Sequence, residues 1–208
     1  MKHKVITDMM KHRSIQIALL IFALATLFQS SPVFAKQPDP QFANADNVFT
    51  LFASRVQIMR AVAYDKWMQR TPIEDKKRET VVLKNAQNDA KTLGIHKIGP
   101  LILAQIEIAK SEQRRWHARW DKRGMDSGSA PDLTKSRRQL DKLGKELLPA
   151  LRNLLPALRN AAWRKTLKTN FDSKLKSLPA SERELLWRAM LQAQIIPSKS
   201  TPAKAPTK

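Results

Sequence analysis

Arg55 and Lys66 stand eleven residues apart in the segment 55–79, RVQIMRAVAYDKWMQRTPIEDKKRE. At about 100° per residue, eleven residues complete three turns plus roughly 20°, so on a helix both cations share one face, their Cα atoms about 16 Å apart. Met59 and Val62 lie between them on that face. Two long cationic side chains converging over an apolar strip leave a gap that suits a small dianion. Thr71-Pro72 stops the helix, because the residue before proline is driven out of the α region. The chain restarts at Asp75 and brings Arg78 and Glu79 into the first turns of a second helix. Such a corner can hold and orient an anion. The histidines, His3, His12, His96 and His117, show no metal-ligand spacing, and without cysteine there is neither a disulfide nor a thiolate metal site.

The elements that position these groups are helical. A chain of 208 residues has room for one domain with a sizeable core, and five glycines among abundant Leu, Ala, Lys, Arg and Gln point to an all-α fold. Phe49, Phe52, Val56, Met59 and Val62 recur near helical spacing and predict a first helix over 44–70. A second is expected over 74–93, with Gly94 as its stop. A third, over 98–122, carries Leu101, Ile102, Gln105, Ala109 and Gln113. Residues 124–131, GMDSGSAP, read as a loop, after which Asp132 caps a fourth helix from Leu133. That helix contains the heptad LLPALRN twice, at 147–153 and 154–160. An interior proline costs a helix about 3 kcal/mol, so a break near Pro149 or Pro156 is expected. Ser181-Glu182-Arg183-Glu184 has the form of a capping box opening a last helix to about 195. The sum is a bundle of about five helices.

The termini have their own signals. Lys2, Lys4, Lys11 and Arg13 precede an apolar run over 15–28, and Val33-Phe34-Ala35 stands before Lys36. This reads as a secretory signal peptide, residues 1–35, cleaved after Ala35; the run is short for a transmembrane span, and an uncleaved anchor is the alternative. The expected organisation is therefore signal peptide, a domain over 36–197 and a disordered basic tail over 198–208. Residues 1–35 carry a net +3, so +17 of the formal +20 stays with the exported part. That charge suits anionic partners, but export and the lack of a recognised motif argue against nucleic acid.

The run Arg55…Lys66-Trp67…Pro72-Ile73-Glu74-Asp75…Arg78-Glu79, with Gln105-Ile106-Glu107…Lys110…Gln113…Trp116…Trp120 after it, resembles the exported, all-helical chorismate mutases of the AroQ class, gamma subclass. The likeness covers about 48–140. It implies the AroQ-type fold and a Claisen rearrangement of chorismate to prephenate without metal or organic cofactor, on the phenylalanine and tyrosine branch of aromatic amino acid synthesis. It also implies a homodimer, while the signal-peptide pattern predicts a place in the periplasm or outside the cell, free of stable membrane association once the signal is removed. The chemistry fits the residue types: a dianion must be held compact while donors meet the negative charge growing on the ether oxygen.

Carried over position by position, the resemblance makes Arg55 and Arg78 the arginines that pair with the substrate carboxylates. Lys66 becomes the donor to the ether oxygen and a carboxylate. Gln113 is the second donor to the ether oxygen, able to donate without taking a proton from solvent. Asp75 and Glu79 take the acidic positions near the substrate hydroxyl. Ala109 stands where some relatives carry a hydroxyl residue, and Arg137, with Arg138 beside it, resembles the arginine that completes the pocket from beyond the loop. Plainer readings exist for several of these. Asp75 is favoured at a helix start by the dipole, and Glu79 can pair with a lysine one turn away. Trp67, Trp116 and Trp120 suit packing, and Glu107 with Lys110 a helix-surface ion pair. The competing function is a non-catalytic basic periplasmic protein that binds anions, or acts as an adaptor, on the same scaffold.

Overall fold

The computed structural model describes residues 40–125 and 132–196. The expected signal peptide, the tip of the 124–131 loop and the basic tail lie outside them. Among the described residues there are six helices and one two-stranded ladder: α1 (Pro40–Met68), α2 (Lys76–Thr92), β1 (Ile95–His96), α3 (Gly99–Arg123), α4 (Leu133–Arg159), α5 (Ala161–Lys174), α6 (Ala180–Gln192) and β2 (Gln194–Ile195). The all-α reading holds. β1 and β2 are antiparallel, with Ile95 opposite Ile195 and His96 opposite Gln194. No sequence pattern announced this clasp, because two residues are too few to show an alternation.

α1 is the axis of the bundle and packs on α3, α4 and α5. Its buried stripe, Ala45, Val48, Phe49, Phe52, Met59 and Ala63, follows the expected spacing. It ends at Met68, before the proline. Arg70 takes a left-handed φ of 52°, its N–H reaches the Trp67 carbonyl, and the Thr71 N–H reaches the Lys66 carbonyl at 2.9 Å. This is a Schellman closure, and Pro72 then prevents continuation. At the other end of the corner the Asp75 carboxylate accepts the Arg78 N–H at 3.0 Å, while Glu79 Oε1 accepts the Asp75 N–H at 3.2 Å. The cap on α2 is thus reciprocal.

α4 corrects one expectation. It runs unbroken through both prolines. The duplicated heptad explains this, since seven residues are close to two turns and each copy presents the same faces. Leu147, Leu151, Leu154 and Leu158 are buried, whereas Pro149 and Pro156 both face solvent. There water can serve the carbonyls of Lys145 and Arg152, which lose their helical donors to the prolines. The break falls at Asn160 instead, which ends α4 and caps α5 by accepting the Ala162 N–H at 3.0 Å; it yields a helix beyond the expected five. The second correction concerns α6. It starts at Ala180 with no side-chain cap, so Ser181 is already inside it and the capping box does not form.

The core is closed by Phe49, Phe171 and Trp187, with ring centroids 5.2–6.5 Å apart. Trp120 is buried among Tyr64, Trp67, Trp116 and His117 at the far end of α1 and α3, which fits packing roles for the tryptophans. This core leaves one side of α1, facing α2, α3 and the start of α4, unfilled.

Candidate active site

That unfilled side is a cavity of about 990 Å³, and Arg55, Lys66, Asp75, Arg78, Glu79, Ala109, Gln113 and Arg137 all line it. α1 supplies Arg55 and Lys66, with Met59 and Val62 between them on the wall as the eleven-residue spacing required. The corner and the first turns of α2 supply Asp75, Arg78 and Glu79. α3 supplies Gln105, Ala109 and Gln113, three positions spaced by four along one stripe, and α4 supplies Arg137, one turn after its start. Arg138, about 100° further round α4, lines with Lys142 an adjoining groove that shares Asp141 with the cavity.

The cations are held by their surroundings. Arg55 donates from Nη1 to the Leu140 carbonyl at 3.4 Å, which ties α1 to α4. Burial lowers its pKa from the ordinary arginine value, and Asp141 works against that shift. Lys66 Nζ donates to the Ile73 carbonyl at 2.5 Å, so the corner backbone orients it. Its pKa is also lowered, first by burial and further by Arg78, with Asp75, Glu79 and Asp65 opposing. Arg78 and Arg137 are exposed at the mouth.

Gln113 is 5% exposed, and its Nε2 donates to the Ala109 carbonyl at 3.0 Å. An amide nitrogen has two hydrogens; the other group near it is the Met59 sulfur, at 3.9 Å. Gln113 Oε1 and Gln105 Oε1 are buried without a partner among the described residues. Unpaired buried carbonyl oxygens cost about 1–3 kcal/mol each, a cost this wall carries in the folded state. The acids are already engaged. Asp75 caps α2, and Glu79 uses one oxygen on the Asp75 N–H and the other on Lys110.

Lys110 is the residue that sequence reasoning underrated. It does pair with Glu107, at 2.7 Å, but it is a buried lining residue rather than a surface one, and it also reaches Glu79 at 3.3 Å and Glu74 at 3.8 Å. The i,i+3 spacing showed the first contact; the other two need α2 folded back onto α3. Together the walls can grip a small dianion between cations and meet a developing negative oxygen with Lys66 and Gln113.

No family model matches the chain. A monofunctional chorismate mutase from Enterobacter agglomerans is 32% identical over 129 residues, 61% of this chain and 70% of that protein. A secreted chorismate mutase from Yersinia pestis is 39% identical over 72 residues, 34% of this chain and 39% of that protein. Among solved structures, the secreted chorismate mutase from Yersinia pestis superposes with a TM-score of 0.64 at 25% identity, covering 72% of this chain and 97% of that one. Chorismate mutase from Burkholderia thailandensis gives 0.60 at 27%, covering 71% and 96%. On identity across more than two thirds of a relative and on a shared all-α AroQ fold, the chain belongs to the chorismate mutase family.

Proposed function

We propose that this chain converts chorismate to prephenate in the cavity between α1, α2, α3 and the start of α4. The family supplies the reaction, and the observation that carries the site assignment is the convergence of eight residues from four helices on one cavity. In this reading Arg55 and Arg78 pair with the two carboxylates and hold the ring and side chain of the substrate face to face. As the C–O bond breaks, negative charge gathers on the ether oxygen. Lys66 Nζ and the second N–H of Gln113 donate to it, and both sit in partly desolvated places where such contacts are strong. Arg137 closes the mouth. No proton has to be added or removed, so none of these side chains acts as a nucleophile or base.

Export to the periplasm after cleavage behind Ala35 is part of the proposal. It is supported by the basic-then-apolar pattern of residues 1–35 and by a relative named as secreted. Assembly as a homodimer rests on the family resemblance, and sedimentation of the purified protein tests it. The activity is tested by following the loss of chorismate absorbance with residues 36–208 between pH 5 and 8. Rapid conversion with a flat profile is expected. Folded protein that leaves chorismate intact would point to the anion-binding alternative.

A further inference from the structure

We propose that Lys110 is a positioning residue of this site: it pairs with Glu79 and, with Glu74, holds it against the wall, so that less of its negative charge meets a dianion in the cavity. The inference rests on the mutase reading only for the identity of that dianion.

Glu79 lines the cavity, and its side chain is only 25% exposed. A carboxylate there repels a doubly charged ligand unless its charge is balanced. Both of its oxygens are occupied, one by the backbone N–H of Asp75 and the other by Lys110. Lys110 comes from α3, is 8% exposed as a residue, and meets three carboxylates. Two of these belong to the corner that carries the Lys66 anchor, the Ile73 carbonyl. Removing the ammonium leaves Glu79 with only the Asp75 N–H on its oxygens and the charge of Lys66 acting from across the site, in partly dry surroundings, where a pair broken from one side is costly. Lys110 therefore acts on substrate affinity, through Glu79, and the chemical step stays with Lys66 and Gln113.

The experiment measures prephenate binding by calorimetry alongside chorismate turnover for wild type, Lys110→Met, Lys110→Arg, Glu79→Gln and the Lys110→Met/Glu79→Gln double variant. Lys110→Met is expected to weaken binding and raise KM by about tenfold or more, with kcat within about threefold. Lys110→Arg keeps the charge and restores affinity. Glu79→Gln in the Lys110→Met background also restores it, which a merely structural lysine would not allow. Glu79→Gln alone tightens prephenate binding, and this arm decides the matter if Lys110→Met does not fold. Wild-type affinity in Lys110→Met, a loss confined to kcat, a double variant no better than Lys110→Met, or weaker binding in Glu79→Gln each overturns the proposal. Wild-type protein that binds prephenate but leaves chorismate unchanged sinks the mutase reading while the binding comparison still decides the role of Lys110.

Discussion

Arg115 stands five positions after Lys110 on α3, and each cation is surrounded by carboxylates. Lys110 points to the cavity and gathers Glu74, Glu79 and Glu107. Arg115, about 140° further round the helix, reaches across to α6, where Glu182 accepts at 2.6 and 3.0 Å, and it also binds Glu112 and the Ser111 hydroxyl. Burial would push the Glu182 carboxyl up, but the hydrogen bonds from Arg115 and Ser111 outweigh it and its pKa is lowered. The Arg115 pKa is raised, chiefly by its hydrogen bond to Glu182. One cluster closes on itself and staples two helices; the other borders open space with unpartnered amide oxygens on the same wall. Ion-pair chemistry alone does not tell a structural site from a functional one. The space that each pair faces does.

The largest effects are therefore expected on the cavity side. On the proposed mechanism, Arg55→Ala and Lys66→Ala should each lower kcat/KM by about 10³-fold or more, since each would remove a desolvated charge contact to the reacting dianion. Circular dichroism and thermal unfolding should stay close to wild type. Turnover unchanged in either folded variant would remove that residue from the site.

Gln113→Glu should act through pH. A carboxyl at this position can donate only when protonated, so turnover should survive at acid pH and fall by about 10²-fold toward pH 8. Wild type should be flat between pH 5 and 8. At the alkaline end Lys66 sets the limit. Burial disfavours its ammonium, so the proton leaves below the pH of an ordinary lysine and activity falls earlier as pH rises. A wild-type profile that rises toward acid would move the ether-oxygen donor from Gln113 to a carboxylic acid.

These tests bear on what the sequence could reveal. Arg55 and Lys66 were legible because a helix converts an eleven-residue spacing into a shared face, and the Asp75 cap and the Asp132 cap because both are local. Lys110 was legible only as half of an i,i+3 pair; its tie to Glu79 depends on how α2 folds back on α3, which no local rule encodes. The prolines of α4 misled in the same way. Their cost depends on whether the freed carbonyl meets water or protein, and burial is a tertiary fact.

The closed cluster should respond in stability. Arg115→Ala leaves Glu182 with only the Ser111 hydroxyl as a partner and should cost about 1–2 kcal/mol of unfolding free energy, a moderate value for a partly exposed network. KM and kcat should remain within about twofold of wild type. Because the Glu182 pKa is depressed in the folded state, its contribution is present above the ordinary carboxylate pKa and is lost as pH falls through the lowered folded value. The difference in Tm between wild type and Arg115→Ala should therefore shrink on acidification. An equal difference at every pH would detach Glu182 from that contribution.

The smallest effects belong to α4, where the two copies of LLPALRN make an internal comparison. Pro149 and Pro156 hold the same place in each copy and both are exposed, so replacing either with alanine removes no buried contact. Alanine restores an N–H to the helix ladder and raises intrinsic helix propensity. The full interior penalty of about 3 kcal/mol is not expected back, because the freed carbonyls belong to exposed residues that solvent can reach; a gain of about 1 kcal/mol is. Pro149 lies deep inside α4, whereas Pro156 stands three residues from its last residue, Arg159, where the ladder is ending anyway. Pro149→Ala should therefore stabilise more than Pro156→Ala, as urea unfolding can measure, with turnover unchanged in both. A loss of stability in Pro149→Ala would mean that the proline geometry itself is needed to lay the leucine stripe of α4 against α1.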